Sequence, residues 1–279
     1  MEDKLAIVTG ANSGMGLATV IALAKKGINV IMLCRNEERG VKALQIAKDE
    51  SQSDGIELMI GDLGSIDSIH RFAEAFKTKH NKLDILINNA GVVSLKRQET
   101  KDGFESMLGV NHLGHFLLTN LLLDELKASP QGRIVVVSSG AHKWGKIDFE
   151  DPYFKSGYNV AKGYGRSKLA NILFMRSLHE HIKNTRVTVN ALHPGAVATN
   201  IGVDRETGFG KRIIKLLVPF FRTPEKGAAT AVFLAMDEKV SSISGAYFYD
   251  EKEVSISGLG QDNELADRFW KWSMEQVGL

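Results

Sequence analysis

The stretch Leu5-Ala-Ile-Val-Thr9-Gly10-Ala-Asn-Ser-Gly14-Met-Gly16 decides the fold. Leu5 to Val8 is a short, continuous apolar run with no polar alternation, the pattern of a strand covered on both faces. Gly14 to Lys26 reads as a helix with Leu17, Val20, Ile21 and Leu23 on its apolar side. Between them lies a glycine turn at a helix N-terminus, where unpaired N–H groups and the helix dipole attract an anion. Gly10 permits a tight turn, Gly14 close approach by a phosphate, and Gly16 packing of helix on strand. The spacing Gly-x-x-x-Gly-x-Gly departs from the familiar Gly-x-Gly-x-x-Gly, but the strand–turn–helix setting favours a dinucleotide site over a flexible loop. Its expected contacts are Gly10, Asn12, Ser13, Gly14, Met15 and Gly16.

Working outward, apolar runs keep alternating with amphipathic stretches. Asn29 to Leu33, Ile56 to Ile60, Leu83 to Ile87, Arg133 to Val137, Val187 to Leu192 and Ala246 to Tyr249 read as strands. The intervals, beginning with Glu37 to Lys48, read mostly as helices. This predicts an α/β fold: a mostly parallel, doubly wound sheet with helices on both faces. The 279 residues contain five prolines and no low-complexity or repeated segment, so a single domain spanning 1–279 is expected. Residues 200–222 break the rhythm with Gly202, Gly208 and Gly210 followed by the basic, apolar Lys211 to Phe221. That segment reads either as a lid or as a surface helix with its apolar stripe on the core. Contact with a bilayer surface is a third, weaker reading.

Composition narrows the class. Hydrophobic residues make up 43% and charged residues 24%, and 35 basic side chains face 33 acidic ones for a net charge of +2. No basic run interleaved with aromatics points to nucleic acid. No apolar run reaches the ~18 residues of a membrane span, and no transmembrane anchor or signal peptide is expected. The lone Cys34 rules out a disulfide within the chain, so a reducing, cytoplasmic setting is expected. No metal site is expected, because no His, Cys, Asp or Glu cluster has ligand spacing.

The end of the second strand selects the cofactor. NAD sites generally put Asp or Glu there to bind the ribose 2′-hydroxyl. Here Cys34 is followed by Arg35, and a guanidinium can pair with a 2′-phosphate that a carboxylate would repel. The expected cofactor is NADP(H), with Ser13 and Asn12 nearby. Cys34 itself reads as packing.

Tyr164-Gly-Arg-Ser-Lys168 supplies the chemistry. Positions four apart on a helix share a face. A nearby ammonium favours a phenolate, so Tyr164 can serve as general acid/base with Lys168 lowering its pKa.

With these pieces in place, the chain resembles the short-chain dehydrogenase/reductase family over essentially its whole length. The carriers are the glycine turn, Asp62-Leu63, Asn88-Asn89-Ala90-Gly91, Asn111, Ser139, Tyr164-x-x-x-Lys168 and Pro194-Gly195. Val110-Asn-His-Leu-Gly-His-Phe-Leu-Leu-Thr119, Val137-Ser-Ser-Gly-Ala-His142 and Gly245-Ala-Tyr-Phe248 make it most similar to the retinol dehydrogenase and WW-domain oxidoreductase branch. The resemblance implies a Rossmann-type sheet in the order 3-2-1-4-5-6-7. It also implies that Asp62 binds the adenine amine, with Leu63 beside it. Asn89, Ala90 and Gly91 would border the cofactor. Pro194 and Gly195, with Val197 and Thr199, would hold the nicotinamide carboxamide.

The same resemblance gives Ser139 the task of binding the substrate oxygen, with Ser138 as the competing serine. Asn111 would kink its helix and order a water that links Lys168 to solvent. It implies an oxidoreductase that interconverts an alcohol and a carbonyl, on a lipophilic substrate such as a retinoid, a steroid or an aliphatic or aromatic aldehyde. Homodimerisation through the helices around Asn111 and Tyr164 is common in the family.

The interval from Ser139 to Tyr164 is about twice as long as in many family members. Its contents, His142, Trp144, Phe149, Tyr153, Phe154 and Tyr158, suggest a substrate loop over 140–163 that forms one wall of an apolar pocket, or aromatics that simply pack the loop down. His142, His112, His115 and His193 read as structural. The alternative to an enzyme is a cofactor-binding regulator or scaffold that has lost catalysis. That would predict a broken Tyr/Lys pair or a missing serine, and this chain has all four residues.

Overall fold

Successive side chains of a strand point to opposite faces, and here both faces are covered. The computed structural model describes residues 4–195, 222–256 and 258–279. Its first half alternates β1 (Leu5–Thr9), α1 (Gly14–Ala24), β2 (Asn29–Cys34), α2 (Glu37–Ser51), β3 (Ile56–Ile60), α3 (Ile66–Lys79) and β4 (Ile85–Asn88). After β4 come α4 (Ser106–Leu108), a π-helical turn (Gly109–Leu113), α5 (Gly114–Leu121), α6 (Leu123–Ala128) and β5 (Arg133–Val137). A 3-10 turn (Gly140–Trp144), α7 (Val160–Ile182), β6 (Thr188–Leu192), α8 (Pro224–Met236), a 3-10 turn (Glu238–Val240), β7 (Tyr247–Tyr249), β8 (Lys252–Glu253), a 3-10 turn (Gly258–Gln261) and α9 (Asn263–Val277) complete the described elements.

The sheet order is β3-β2-β1-β4-β5-β6-β7-β8. The first seven strands are parallel and in the expected order. The expectation of seven strands needs one correction, because β8 pairs antiparallel with β7 at the edge. Asp250 and Glu251 both have positive φ, 54° and 61°. That matches the tight two-residue hairpin that right-twisted strands favour.

Ile7, Ile31, Leu33, Leu86, Ile134 and Val136 pack against α3, α5 and α7. Their strand neighbours Ala6, Val8, Val30, Met32, Ile85, Ile87 and Val135 pack against α1, α2 and α8. The unbroken apolar runs in the sequence therefore follow from two separate cores, one on each face. Leu83 is buried, but its N–H pairs with the Glu125 carbonyl, so β4 begins at Ile85. The 200–222 segment expected as a lid or surface helix lies, except for Arg222, outside the described residues.

The C-terminal helix α9 covers α5 and α7. Trp270 meets Phe116 at 4.8 Å and stacks on His181 at 4.3 Å, while Phe269 lies 4.8 Å from His112. The loop between β5 and α7 is fastened to this assembly. Phe149 packs on Phe269 and Trp272, and the Tyr153 hydroxyl donates to Gln276. Tyr158 bonds the Ser94 carbonyl. Arg166, inside the Tyr164 to Lys168 turn, holds the loop from below. It donates to the carbonyls of Lys146, Asp151 and Pro152, and its guanidinium lies 3.7 Å from the Phe154 ring centre. Of the loop aromatics only Trp144 stays exposed, at 58%. Replacing Arg166 with Met should lower stability by about 3 kcal/mol, because three carbonyl acceptors lose their shared donor. Denaturant unfolding measures this, and a parental midpoint would show that the loop is held by other contacts.

Candidate active site

The site is built on the C-terminal ends of the strands, as expected for an open α/β sheet. Gly10 and Gly14 have φ of +64° and +55°, a region that side-chain-bearing residues avoid. At Gly16 the constraint is space. A β-carbon there would sit 2.4 Å from the Gly10 carbonyl oxygen and 2.6 Å from Asn89 Nδ2. Ser13 precedes α1 and its hydroxyl makes no capping bond, so the helix N-terminus and the hydroxyl both border the cavity. Asn89 Nδ2 donates to the Thr9 carbonyl at 2.7 Å, and the backbone N–H groups of Asn89 and Ala90 both donate to the Thr9 hydroxyl at 2.9 Å.

A single cavity of about 440 Å³ brings together nearly all the expected residues, a size typical of small-molecule sites. Along it lie the glycine turn, Arg35, Asp62, Leu63, Asn89, Ala90, Gly91, Ser139, Tyr164, Lys168, Pro194 and Gly195. Val197 and Thr199 lie outside the described residues. The cavity also takes in Asn36 and Arg39, which sequence reasoning missed. Asn36 caps α2 by accepting from the Arg39 N–H at 2.9 Å, which puts Arg39 in the first helical turn beside Arg35. The one-turn spacing from Arg35 was the available signal. Among the described residues neither guanidinium is in an ion pair. Asp62 accepts from the Gly64 N–H at 3.0 Å and lies 3.8 Å from the Lys101 ammonium.

At the other end, α7 raises Tyr164 and Lys168 on one face. Ser138 and Ser139 are now distinguishable. The Ser138 hydroxyl donates to the Lys168 carbonyl at 2.8 Å and is buried, whereas Ser139 borders the cavity beside Tyr164. Ser139 is fixed from behind by His142, whose Nδ1 donates to the Ser139 carbonyl at 2.8 Å. His193 is likewise structural: its ring stacks on Tyr249 at 4.1 Å and its Nδ1 accepts the Gly195 N–H.

The electrostatics correct one expectation. Burial raises the Tyr164 phenol above its ordinary value, and the neighbouring Ser139 hydroxyl only partly opposes it. Lys168 is pulled down to about 8 by its own burial. Its Nζ donates to the Val137 carbonyl at 3.1 Å and lies 5.7 Å from the Tyr164 ring centre. Turned toward the strand, the ammonium does not offset the rise that burial imposes on the phenol. The resting pair is a protonated tyrosine beside a cation that titrates within reach of neutral pH.

Asn111 is fully buried and does not reach the cavity surface. Its side-chain Oδ1 accepts the Val92 N–H at 2.7 Å, and its Nδ2 donates to the Val92 carbonyl and to Ser167 Oγ, both at 3.1 Å. The expected kink is the π-helical turn around it, where the Gly114 N–H bonds Gly109.

These residues fit a dinucleotide. The cavity has cations at one end, a glycine cradle that any β-carbon would fill in its middle, and a tyrosine–lysine pair at the far end. Among the described residues no group of His, Cys, Asp and Glu is placed to hold a metal ion, and no helix is long and apolar enough to cross a membrane.

Comparison with known proteins agrees. The short chain dehydrogenase family model matches residues 4–208. Retinol dehydrogenase 14 of Mus musculus is 44% identical over 291 aligned positions, covering 100% of this chain and 87% of that protein. Retinol dehydrogenase 13 of Homo sapiens is 42% identical, covering 100% and 86%. An uncharacterized protein from Mycobacterium Paratuberculosis, solved as a crystal structure, superposes with a TM-score of 0.81 at 31% identity, covering 99% of this chain and 93% of that one. The chain therefore belongs to the short-chain dehydrogenase family of nicotinamide-dependent oxidoreductases, in the branch that includes these retinol dehydrogenases.

Proposed function

We propose that the protein is an NADP(H)-dependent oxidoreductase that interconverts a lipophilic alcohol and its carbonyl, with carbonyl reduction as the favoured direction. What carries the reading is one cavity with Arg35 and Arg39 at one end and Ser139, Tyr164 and Lys168 at the other. Two guanidiniums and no carboxylate at the end of β2 suit a 2′-phosphate, which they can bind with charge-assisted hydrogen bonds. The free N–H groups at the start of α1 suit the pyrophosphate. Asp62 is assigned to the adenine, with Leu63 beside it. Asn89, Ala90 and Gly91 form the wall, and Pro194 and Gly195, with Val197 and Thr199, hold the carboxamide.

When bound, the dinucleotide supplies or accepts the hydride. The protein handles the proton. Tyr164, kept protonated by burial, donates to the substrate oxygen, while Ser139 Oγ holds the same oxygen and stabilises its developing charge. Lys168 stabilises the phenolate left behind and passes a proton back to it. Asn111 is assigned the ordering of a water that links Lys168 to solvent. A phenol that rests protonated is an acid first, which favours reduction.

The lipophilic substrate rests on the names of the retinol dehydrogenases and on Trp144, whose exposed ring lies against Gly165 beside Tyr164. A retinoid, steroid or long aldehyde suits that surface, and a cytoplasmic setting belongs to the same proposal.

NADPH and NADH oxidation against carbonyls graded by size and polarity tests both halves of the reading. NADPH should be strongly preferred, and replacing Arg35 and Arg39 together with Ala should weaken NADPH about 10- to 100-fold while leaving NADH nearly unchanged. Equal use of both dinucleotides, or activity confined to small polar carbonyls, would contradict the proposal. The pH profile supplies a second test. Lys168 is charged below its pKa of about 8 and neutral above it. Tyr164, held high, remains a donor throughout that range. The reduction rate should therefore be flat below pH 8 and fall above it, whereas a rate rising through pH 8 would assign the proton transfer to another group.

A further inference from the structure

The Thr9 hydroxyl accepts two N–H groups, from Asn89 and Ala90, each at 2.9 Å. Both its lone pairs are thereby committed, and its one proton has two acceptors in reach, His115 Nε2 at 2.8 Å and the Ile87 carbonyl at 3.3 Å, of which His115 is the nearer. On the opposite side of the ring, His115 Nδ1 lies 3.0 Å from the Asn111 carbonyl, which can only accept. One tautomer satisfies both contacts: Nδ1 carries the hydrogen and Nε2 the lone pair. A protonated ring would turn an N–H toward a hydroxyl oxygen already accepting twice. The ring is 1% exposed, and burial lowers its pKa to about 4, with the Lys168 cation adding to that effect. His115 is thus a fixed, neutral connector.

The local half of this arrangement assigns nothing by itself. His181 makes the same one-turn contact from its Nδ1 to the Ser177 carbonyl. What separates His115 is the second nitrogen, which reaches the end of β1, and what stands at each end of the bridge. At one end Thr9 holds the N–H groups of Asn89 and Ala90. At the other, the Asn111 side chain holds both the N–H and the carbonyl of Val92. Asn89, Ala90, Gly91 and Val92 form one side of the cavity, and a β-carbon on Gly91 would sit 3.8 Å from Lys168 Nζ. The wall is clamped at both ends, and His115 ties the two clamps together.

We propose that His115 is a positioning residue for the dinucleotide: by bridging Thr9 and Asn111 it fixes the Asn89–Val92 wall, so that cofactor binding as well as folding depends on it. The inference rests on this cavity being the cofactor site. A nearby polar group that loses its partner in a buried network costs about one hydrogen bond, or roughly tenfold in binding. The pair acts as one device, so its two halves are coupled rather than additive.

The test titrates NADPH into the parent protein, His115→Phe, Thr9→Val, their combination and Thr9→Ser, recording Kd and the melting temperature for each. Each of the first two single variants should weaken NADPH about tenfold, and the combination should be no weaker than the weaker single. Thr9→Ser, which restores the hydroxyl, should return Kd to near the parental value. If His115→Phe does not fold, Thr9→Val decides the question. Folded variants with lowered melting temperatures but a parental Kd would overturn the proposal, as would effects that multiply in the combination. A parent that binds neither NADPH nor NADH would overturn the cofactor reading, and this inference with it.

Discussion

The fold and its site depend on two backbones touching where β1 ends and α1 begins. A β-carbon on Gly10 would sit 2.8 Å from the Ala90 α-carbon, and one on Gly16 would meet both the Gly10 carbonyl and the Asn89 amide. Side chains at either position would push the glycine turn away from the end of β4. Because they are absent, Asn89 can donate into the Thr9 carbonyl and Thr9 can gather two neighbouring N–H groups. The cavity floor is therefore set by hydrogen bonds between adjacent strand ends. Loop packing plays little part in it.

From that floor the site extends in two directions whose chemistry is opposite in character. Toward β2 it opens to the solvent, where an exposed Arg35 and a half-buried Arg39 offer charge that no ion pair holds among the described residues. Toward α7 it closes, and burial governs what the ionisable groups can do. Desolvation disfavours charge in both members of the pair, raising the tyrosine and lowering the lysine. A site arranged this way starts from a proton donor and leaves the cation to respond once the proton has moved.

Much of this was legible in the sequence because it is local. Strands covered on both faces write themselves as unbroken apolar runs, and the glycine turn records its own geometry at Gly10, Gly14 and Gly16. The residues named from motif positions do converge on one cavity, apart from Asn111, which sits behind it, and those outside the described residues. The eighth strand was hidden because Asp250 and Glu251 form its hairpin without the usual glycine or asparagine. Arg39 was missed although it stands one helical turn from Arg35. His115 and the direction of Lys168 could not be read at all. Each depends on a partner far away in the chain, Thr9 in one case and the Val137 carbonyl in the other. The aromatics between Ser139 and Tyr164 pointed to a substrate wall, yet most of them fasten that loop to α9 and to Arg166.

The central claim is that Tyr164 delivers the proton within this cavity. Single-turnover oxidation of bound NADPH by an accepted carbonyl, compared between the parent and Tyr164→Phe, tests it most directly. The account predicts a rate at least ~100-fold lower in the variant, with NADPH binding unchanged because the ring remains. A variant that keeps the parental single-turnover rate would contradict it.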